Sequence, residues 1–160
     1  MSKGVYTVIL GLSSGRSVRV GRLGAIAFDR GFYGYTGSAM GRGGFSLEGR
    51  IARYLRRSVH KPFWHIDYLL LEAELEAVVY AICEKSLEHR VASMLSRRVK
   101  PIVGFGSSDC RYGCKAHLHY LGVDVPSAMD TVISVYRSLD LEPRVIWKRN
   151  GDIFKLEEDR

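Results

Sequence analysis

Nine consecutive residues, Gly31-Phe32-Tyr33-Gly34-Tyr35-Thr36-Gly37-Ser38-Ala39, hold three aromatics and three glycines. Tyrosines flanked by glycines on a strand place phenol hydroxyls beside backbone that another group can approach closely. An arginine-rich stretch follows. Ser46 is an N-cap candidate for a helix through about Arg57, with Leu47, Ile51, Tyr54 and Leu55 as its apolar stripe. Arg50, Arg53 and Arg57, spaced by three and four, share another face of that helix. Guanidinium forks grip phosphate oxygens with paired hydrogen bonds, so hydroxyls, arginines and open backbone together suit a phosphate ester.

Two further constellations carry chemistry. Cys110, Cys114, His117 and His119 form a local set of four ligand types, and thiolates with imidazoles suit tetrahedral zinc. Their spacing matches no established zinc module. The competing reading packs Cys110 in the core, with His117 and His119 alternating along a strand and facing one side. In Trp64-His65-Ile66-Asp67, an extended backbone would put His65 and Asp67 on one face. They would then be a hydrogen-bonded pair beside a site, or a buried polar pair fixing a sheet. Tyr112 in the cysteine loop and Phe45 are aromatics of the kind that stack on bases.

Length and composition limit the frame that positions these groups. The 160 residues suit one domain with a real core, at 46% hydrophobic and 26% charged residues. No apolar run reaches membrane-span length, and the N-terminal residues lack a signal-peptide pattern. Three cysteines without an even framework point to a reducing cytoplasm. Charge is distributed unevenly. Residues 1–61 carry eleven basic groups and two acids, whereas the remainder carries thirteen basic and fifteen acidic groups. The basic portion, dominated by arginine, argues for a polyanion-facing surface, nucleic acid first, over a merely solubilising basic one; no membrane partner is expected.

Strands are expected over Val5 to Leu10, Ser17 to Arg22, Ala25 to Phe28, Phe32 to Thr36 and Leu75 to Ile82, with Gly41-Arg42-Gly43-Gly44 as a loop. Trp64 to Leu71 reads as a mixed segment leading into another hairpin. A helix is expected from Ser86 to Arg98, a strand over Pro101 to Phe105, a loop over Gly106 to Lys115, and extended structure at His117 to Tyr120. Val125-Pro126-Ser127 precedes a helix to about Leu139. Asn150-Gly151 marks a hairpin between Arg144 to Lys148 and Asp152 to Leu156. The sum is one α+β domain, 1–160, with a core at 4–120 and a helix and hairpin extension at 121–160.

Gly4-Val5-Tyr6, Tyr35-Thr36-Gly37-Ser38 and Leu47-Glu48-Gly49-Arg50-Ile51-Ala52-Arg53-Tyr54-Leu55 resemble the GIY-YIG nuclease superfamily. The blocks Tyr33 to Ala39, Trp64-His65-Ile66-Asp67-Tyr68-Leu69, and Gly106-Ser107-Ser108-Asp109-Cys110 with His117-Leu118 are similar to a prokaryotic branch of uncharacterised domains within it. The resemblance spans roughly residues 4–120. It implies a small antiparallel sheet flanked by helices, and metal-dependent hydrolysis of a DNA phosphodiester. By motif position Tyr6 and Tyr35 are the site tyrosines and Arg50 the site arginine. The metal-binding acid falls on a later helix, at Glu88 with Glu84 as fallback, and the cation would be Mg²⁺ or Mn²⁺. Related domains are joined to DNA-repair glycosylases, which makes repair the implied context.

The chain departs from that pattern in three places. A strand pair is inserted around residues 16–28, Tyr54 stands where many members have a histidine, and Ser38 where some have a lysine. Ser38, Tyr54, His65 and Asp67 are candidate walls of the site, and Arg42, Arg53 and Arg57 candidate contacts to nucleic acid. Read from residue type alone, Tyr6 and Tyr35 are equally sheet tyrosines packed on a core, and Glu88 a surface glutamate. Two other functions therefore stand beside a nuclease: a non-catalytic nucleic-acid-binding module, and a zinc-stabilised interaction domain built around Cys110 to His119.

Overall fold

Strand β1 (Gly4–Leu12) lies near the middle of a sheet and is buried along almost its whole length. Such a run, apolar on both faces, must be covered twice. Tyr6, Val8, Leu10 and Leu12 enter one core cluster, while Val5 and Ile9 enter another. The computed structural model describes residues 1–56, 61–107, 110–149 and 152–155.

β1 pairs antiparallel with β4 (Gly31–Ala39) on one side and β5 (Glu74–Ile82) on the other. β6 (Lys100–Pro101), β7 (Leu118–Gly122), β8 (Arg144–Arg149) and β9 (Asp152–Lys155) complete a seven-stranded sheet in the order β6-β7-β4-β1-β5-β8-β9. Every pairing in it is antiparallel. β2 (Arg16–Arg19) and β3 (Ala25–Phe28) form a separate two-stranded sheet. The expected α+β class, with an inserted strand pair and a terminal hairpin, is the one observed. The Asn150-Gly151 turn itself lies outside the described residues.

Helices α1 (Leu47–Arg56) and α2 (His65–Leu70) cover the sheet face that carries Tyr6 and Val8, through Leu47, Ile51 and Tyr54 and through Ile66, Leu69 and Leu70. Helices α3 (Glu88–Arg98) and α4 (Val125–Ser138) cover the opposite face with Val91, Leu95, Val132 and Val135. On that second face Tyr136 places its hydroxyl 2.9 Å from Thr7 Oγ1, which is 3.0 Å from Thr36 Oγ1. The three buried hydroxyls thus satisfy one another across β1, β4 and α4. No helix among the described residues is long and apolar enough to cross a membrane.

Local signals set the helix starts. Ser46 Oγ accepts the Gly49 N–H at 3.1 Å, as expected of an N-cap, and Asp124 Oδ2 accepts the Ser127 N–H at 2.9 Å to open α4. The expected helix from Ser86 begins at Glu88.

Three expectations are corrected. Within the segment expected to be mixed, residues 65–70 form a helix, because Asp67 in the first turn accepts the N–H groups of Phe63 and Trp64 at 3.0 and 2.9 Å. The chain then enters β5 through a turn at Leu71, without another hairpin. The strand expected over Pro101 to Phe105 stops at Pro101, where a turn closed by the Phe105 N–H on the Ile102 carbonyl takes over.

Candidate active site

Tyr6 and Tyr35 reach one cleft from adjacent strands. In the β1–β4 register Tyr6 lies opposite Gly37 and Val8 opposite Tyr35, so both tyrosines project from the same sheet face, one step apart diagonally. Helix α1 brings Arg50, Arg53 and Tyr54 to the cleft, α2 brings His65, and the first turn of α3 brings Glu88. Its volume is about 520 Å³, within the range of small-ligand sites. Ser38 also lines it. Glu84, the fallback acid, is exposed and lies elsewhere.

Two glycines make room for the tyrosines. A Cβ on Gly37 would lie 2.4 Å from the Tyr6 hydroxyl oxygen. Gly106 has φ +72°, and a Cβ there would meet the Tyr35 ring at 2.9 Å. Only glycine satisfies both the backbone angle and the contact at position 106.

The three phenols are in low-dielectric surroundings. Burial pushes the Tyr35 phenol well up, and the charges of Tyr6 and Glu88 add to this. Burial also raises Tyr6, partly offset by its hydrogen bond with Tyr54 and by Arg50. Tyr54 is raised by burial and then by the neighbouring tyrosines. The Tyr6 and Tyr54 hydroxyls are 3.4 Å apart. At neutral pH these groups are protonated and act as hydrogen-bond donors.

The histidine is oriented by its partner. The Gly106 N–H donates to His65 Nδ1 at 2.8 Å. A backbone N–H cannot accept, so Nδ1 carries the lone pair and Nε2 carries the proton of the neutral ring. The expected His65–Asp67 pair does not form, because on a helix these two positions point different ways. Asp67 is buried and does not line the cleft; its carboxylate holds Arg53 Nη2 at 2.5 Å. It therefore positions Arg53 and the entry to α2.

Arg50 Cζ lies 5.2 Å from the Phe45 ring centroid, and its buried Nε has no hydrogen-bond partner among the described residues. Arg42 is exposed on the preceding loop, outside the cleft lining. Arg57 lies outside the described residues. Tyr33, on the same strand as Tyr35, is a core residue whose hydroxyl donates to the Asp29 carbonyl at 2.7 Å.

Beside the cleft, one ligand atom from each of Cys110, Cys114 and His117 comes within 4.8 Å of the others, a group able to hold a metal ion. His119 does not join it: fully buried, it places Nε2 2.8 Å from Ser96 Oγ on α3. Successive strand residues alternate faces, but His117 precedes β7 and follows the loop instead. His117 Nδ1 is 3.8 Å from Glu88 Oε2.

Residue reasoning missed Phe63 and Ile66, which line the cleft, and Gly106, which orients His65. For Phe63 the signal was its place beside Trp64 ahead of a helix start; at 77% exposure it has no core partner to explain it.

The fold and cleft define an α+β domain with a tyrosine-, arginine- and glutamate-lined cleft next to a thiol–imidazole cluster. The chain belongs to the family described as "Domain of unknown function DUF123", whose model matches residues 5–140. No curated protein and no solved structure matches it.

Proposed function

We propose that this protein is a divalent-metal-dependent endonuclease that hydrolyses DNA phosphodiester bonds, with DNA repair as its context. The observation that carries the reading is the convergence of Tyr6, Tyr35, Arg50 and Glu88, from four separate elements, on one cleft. The sequence resemblance to GIY-YIG nucleases supports it, as does the basic character of residues 1–61. The partner would be DNA, engaged through Arg50 and the exposed Arg42.

Arg50 would hold the nonbridging oxygens and balance the charge that grows on them as water attacks phosphorus. Tyr35 and Tyr6, both protonated, would donate hydrogen bonds to the phosphate or orient the water. His65 would add its Nε2–H as a further donor. Glu88 and the nearby hydroxyls form an oxygen-rich donor set, which fits Mg²⁺ or Mn²⁺; Glu88 would hold the cation, which supplies Lewis-acid charge stabilisation.

Labelled linear and branched DNA incubated with Mg²⁺ or Mn²⁺ tests the reading directly. Cleavage should require the cation and fall sharply in Tyr35→Phe, Arg50→Ala and Glu88→Gln proteins. Undiminished cleavage in all three would remove the site assignment.

The meeting of Cys110, Cys114 and His117 favours a second reading. In it, zinc stabilises the loop and the domain binds nucleic acid or another partner without cutting it. Binding without cleavage under any divalent cation would select that reading.

A further inference from the structure

The thiol–imidazole cluster sits where the loop before β7 meets α3, and its contacts lead into the cleft. Cys110 and His117 line both. Cys114 Sγ approaches the carbonyl of His89 at 3.8 Å, on the same helical turn that carries Glu88. Gly106, on the segment leading to these cysteines, contacts the space of Tyr35 and donates to His65.

The histidine supplies an independent sign of a ligand. His117 is 6% exposed, and its Nε2 is buried with no hydrogen-bond partner among the described residues. Its other nitrogen faces Glu88 Oε2 at 3.8 Å. A buried imidazole with one unpartnered nitrogen and a carboxylate at the other is the arrangement of a metal-bound histidine, whose free N–H is oriented by a carboxylate. Tetrahedral coordination at zinc–sulfur distances of about 2.3 Å needs sulfur atoms ~3.8 Å apart. The ligand atoms, all within 4.8 Å of one another, need to close by only about 1 Å.

We infer that Cys110, Cys114 and His117 Nε2 bind a zinc-type cation, and that this cation, through His117, sets the position of Glu88 in the cleft. The inference rests on the metal-site part of the zinc reading and is independent of cleavage. Two thiolates and an imidazole select a soft or borderline cation over Mg²⁺, so this site and the Glu88 carboxylate would hold different metals. The bound cation would clamp the cysteine loop to α3. Glu88, His117 and Gly106 would thereby be held in one geometry around Tyr35 and His65.

The test uses the full reduced chain titrated with Co²⁺ and then Zn²⁺. We expect a thiolate-to-cobalt charge-transfer band that saturates at about one equivalent and is displaced by zinc. Zinc should protect two of the three cysteines from a thiol reagent, leaving Cys83 reactive. Glu88→Gln should weaken the metal by about 10- to 100-fold, as loss of an orienting carboxylate does. Exposed Glu84→Gln should leave affinity unchanged.

Absence of the band, with all three thiols equally reactive with and without zinc, would overturn the site. Equal affinity in Glu88→Gln and unsubstituted protein would overturn the coupling to the cleft. Tyr35→Phe should bind the metal normally. Thus a protein that binds zinc but cuts no DNA defeats only the nuclease reading, and one that cuts DNA with unprotected thiols defeats only this inference.

Discussion

Gly37 stands directly opposite Tyr6 across the β1–β4 pair, and a Cβ there would lie 2.4 Å from the Tyr6 hydroxyl and 2.6 Å from Cζ. The Tyr6 ring is buried and packs against Tyr54 at a centroid distance of 5.5 Å, so it has little room to yield. Gly37→Ala should cost about 1–3 kcal/mol, the usual range for overpacking. Tyr6→Phe, which keeps the ring, should cost less. Urea unfolding of both proteins checks this, and a wild-type midpoint for Gly37→Ala would refute the contact.

Asp67 and Arg53 should be unequal partners when removed. Asp67 is 1% exposed and also accepts the Phe63 and Trp64 N–H groups, whereas the Arg53 side chain is 30% exposed. Asp67→Ala loses a helix cap as well as an ion pair, for about 2–4 kcal/mol. Arg53→Ala leaves a carboxylate that still has two backbone donors, and so should cost less. Denaturant midpoints of the two variants order them; the reverse order would be contrary evidence.

The cleft residues should behave oppositely, with large effects on reaction and small effects on folding. Removing a donor that meets developing charge typically costs about 100- to 1,000-fold in rate. Losses of that size are expected for Tyr35→Phe and Arg50→Ala, with circular dichroism and melting near those of the unsubstituted protein. Rates within a few-fold of wild type would place the chemistry elsewhere.

DNA affinity should fall with salt, and each phosphate contact removed should reduce the slope of log K against log salt by about 0.9. Arg50→Gln should reduce it more than Arg53→Gln, because Asp67 already holds Arg53 Nη2. Arg42→Gln should also reduce it, since Arg42 is exposed on the loop before α1. Fluorescence anisotropy over a salt series measures all three. Equal slopes throughout would exclude these arginines as contacts.

Much of the frame was legible because its signals are local. The apolar run at Val5 to Leu10, the Ser46 cap and the β-branched centre of residues 75–82 each carry their own period or punctuation. The helix at His65–Leu70 was not legible in that way. Six residues are too short to show a helical period, and its start depends on Asp67 folding back onto Phe63 and Trp64. The His65–Asp67 pairing failed with it.

The sequence by itself determined the inventory: tyrosines among glycines, an arginine face, an acid at residue 88, and two cysteines near two histidines. It also determined the α+β class, since strand and helix periods are properties of the chain. Only the tertiary structure decided which of these groups share a space. Glu88 begins a helix on the second face of the sheet, yet lines the cleft with Tyr35. His119 separates from Cys110, Cys114 and His117 although two residues from the last, because it packs against Ser96. Proximity across a sheet follows from register and packing summed over the whole fold, and no short segment encodes it.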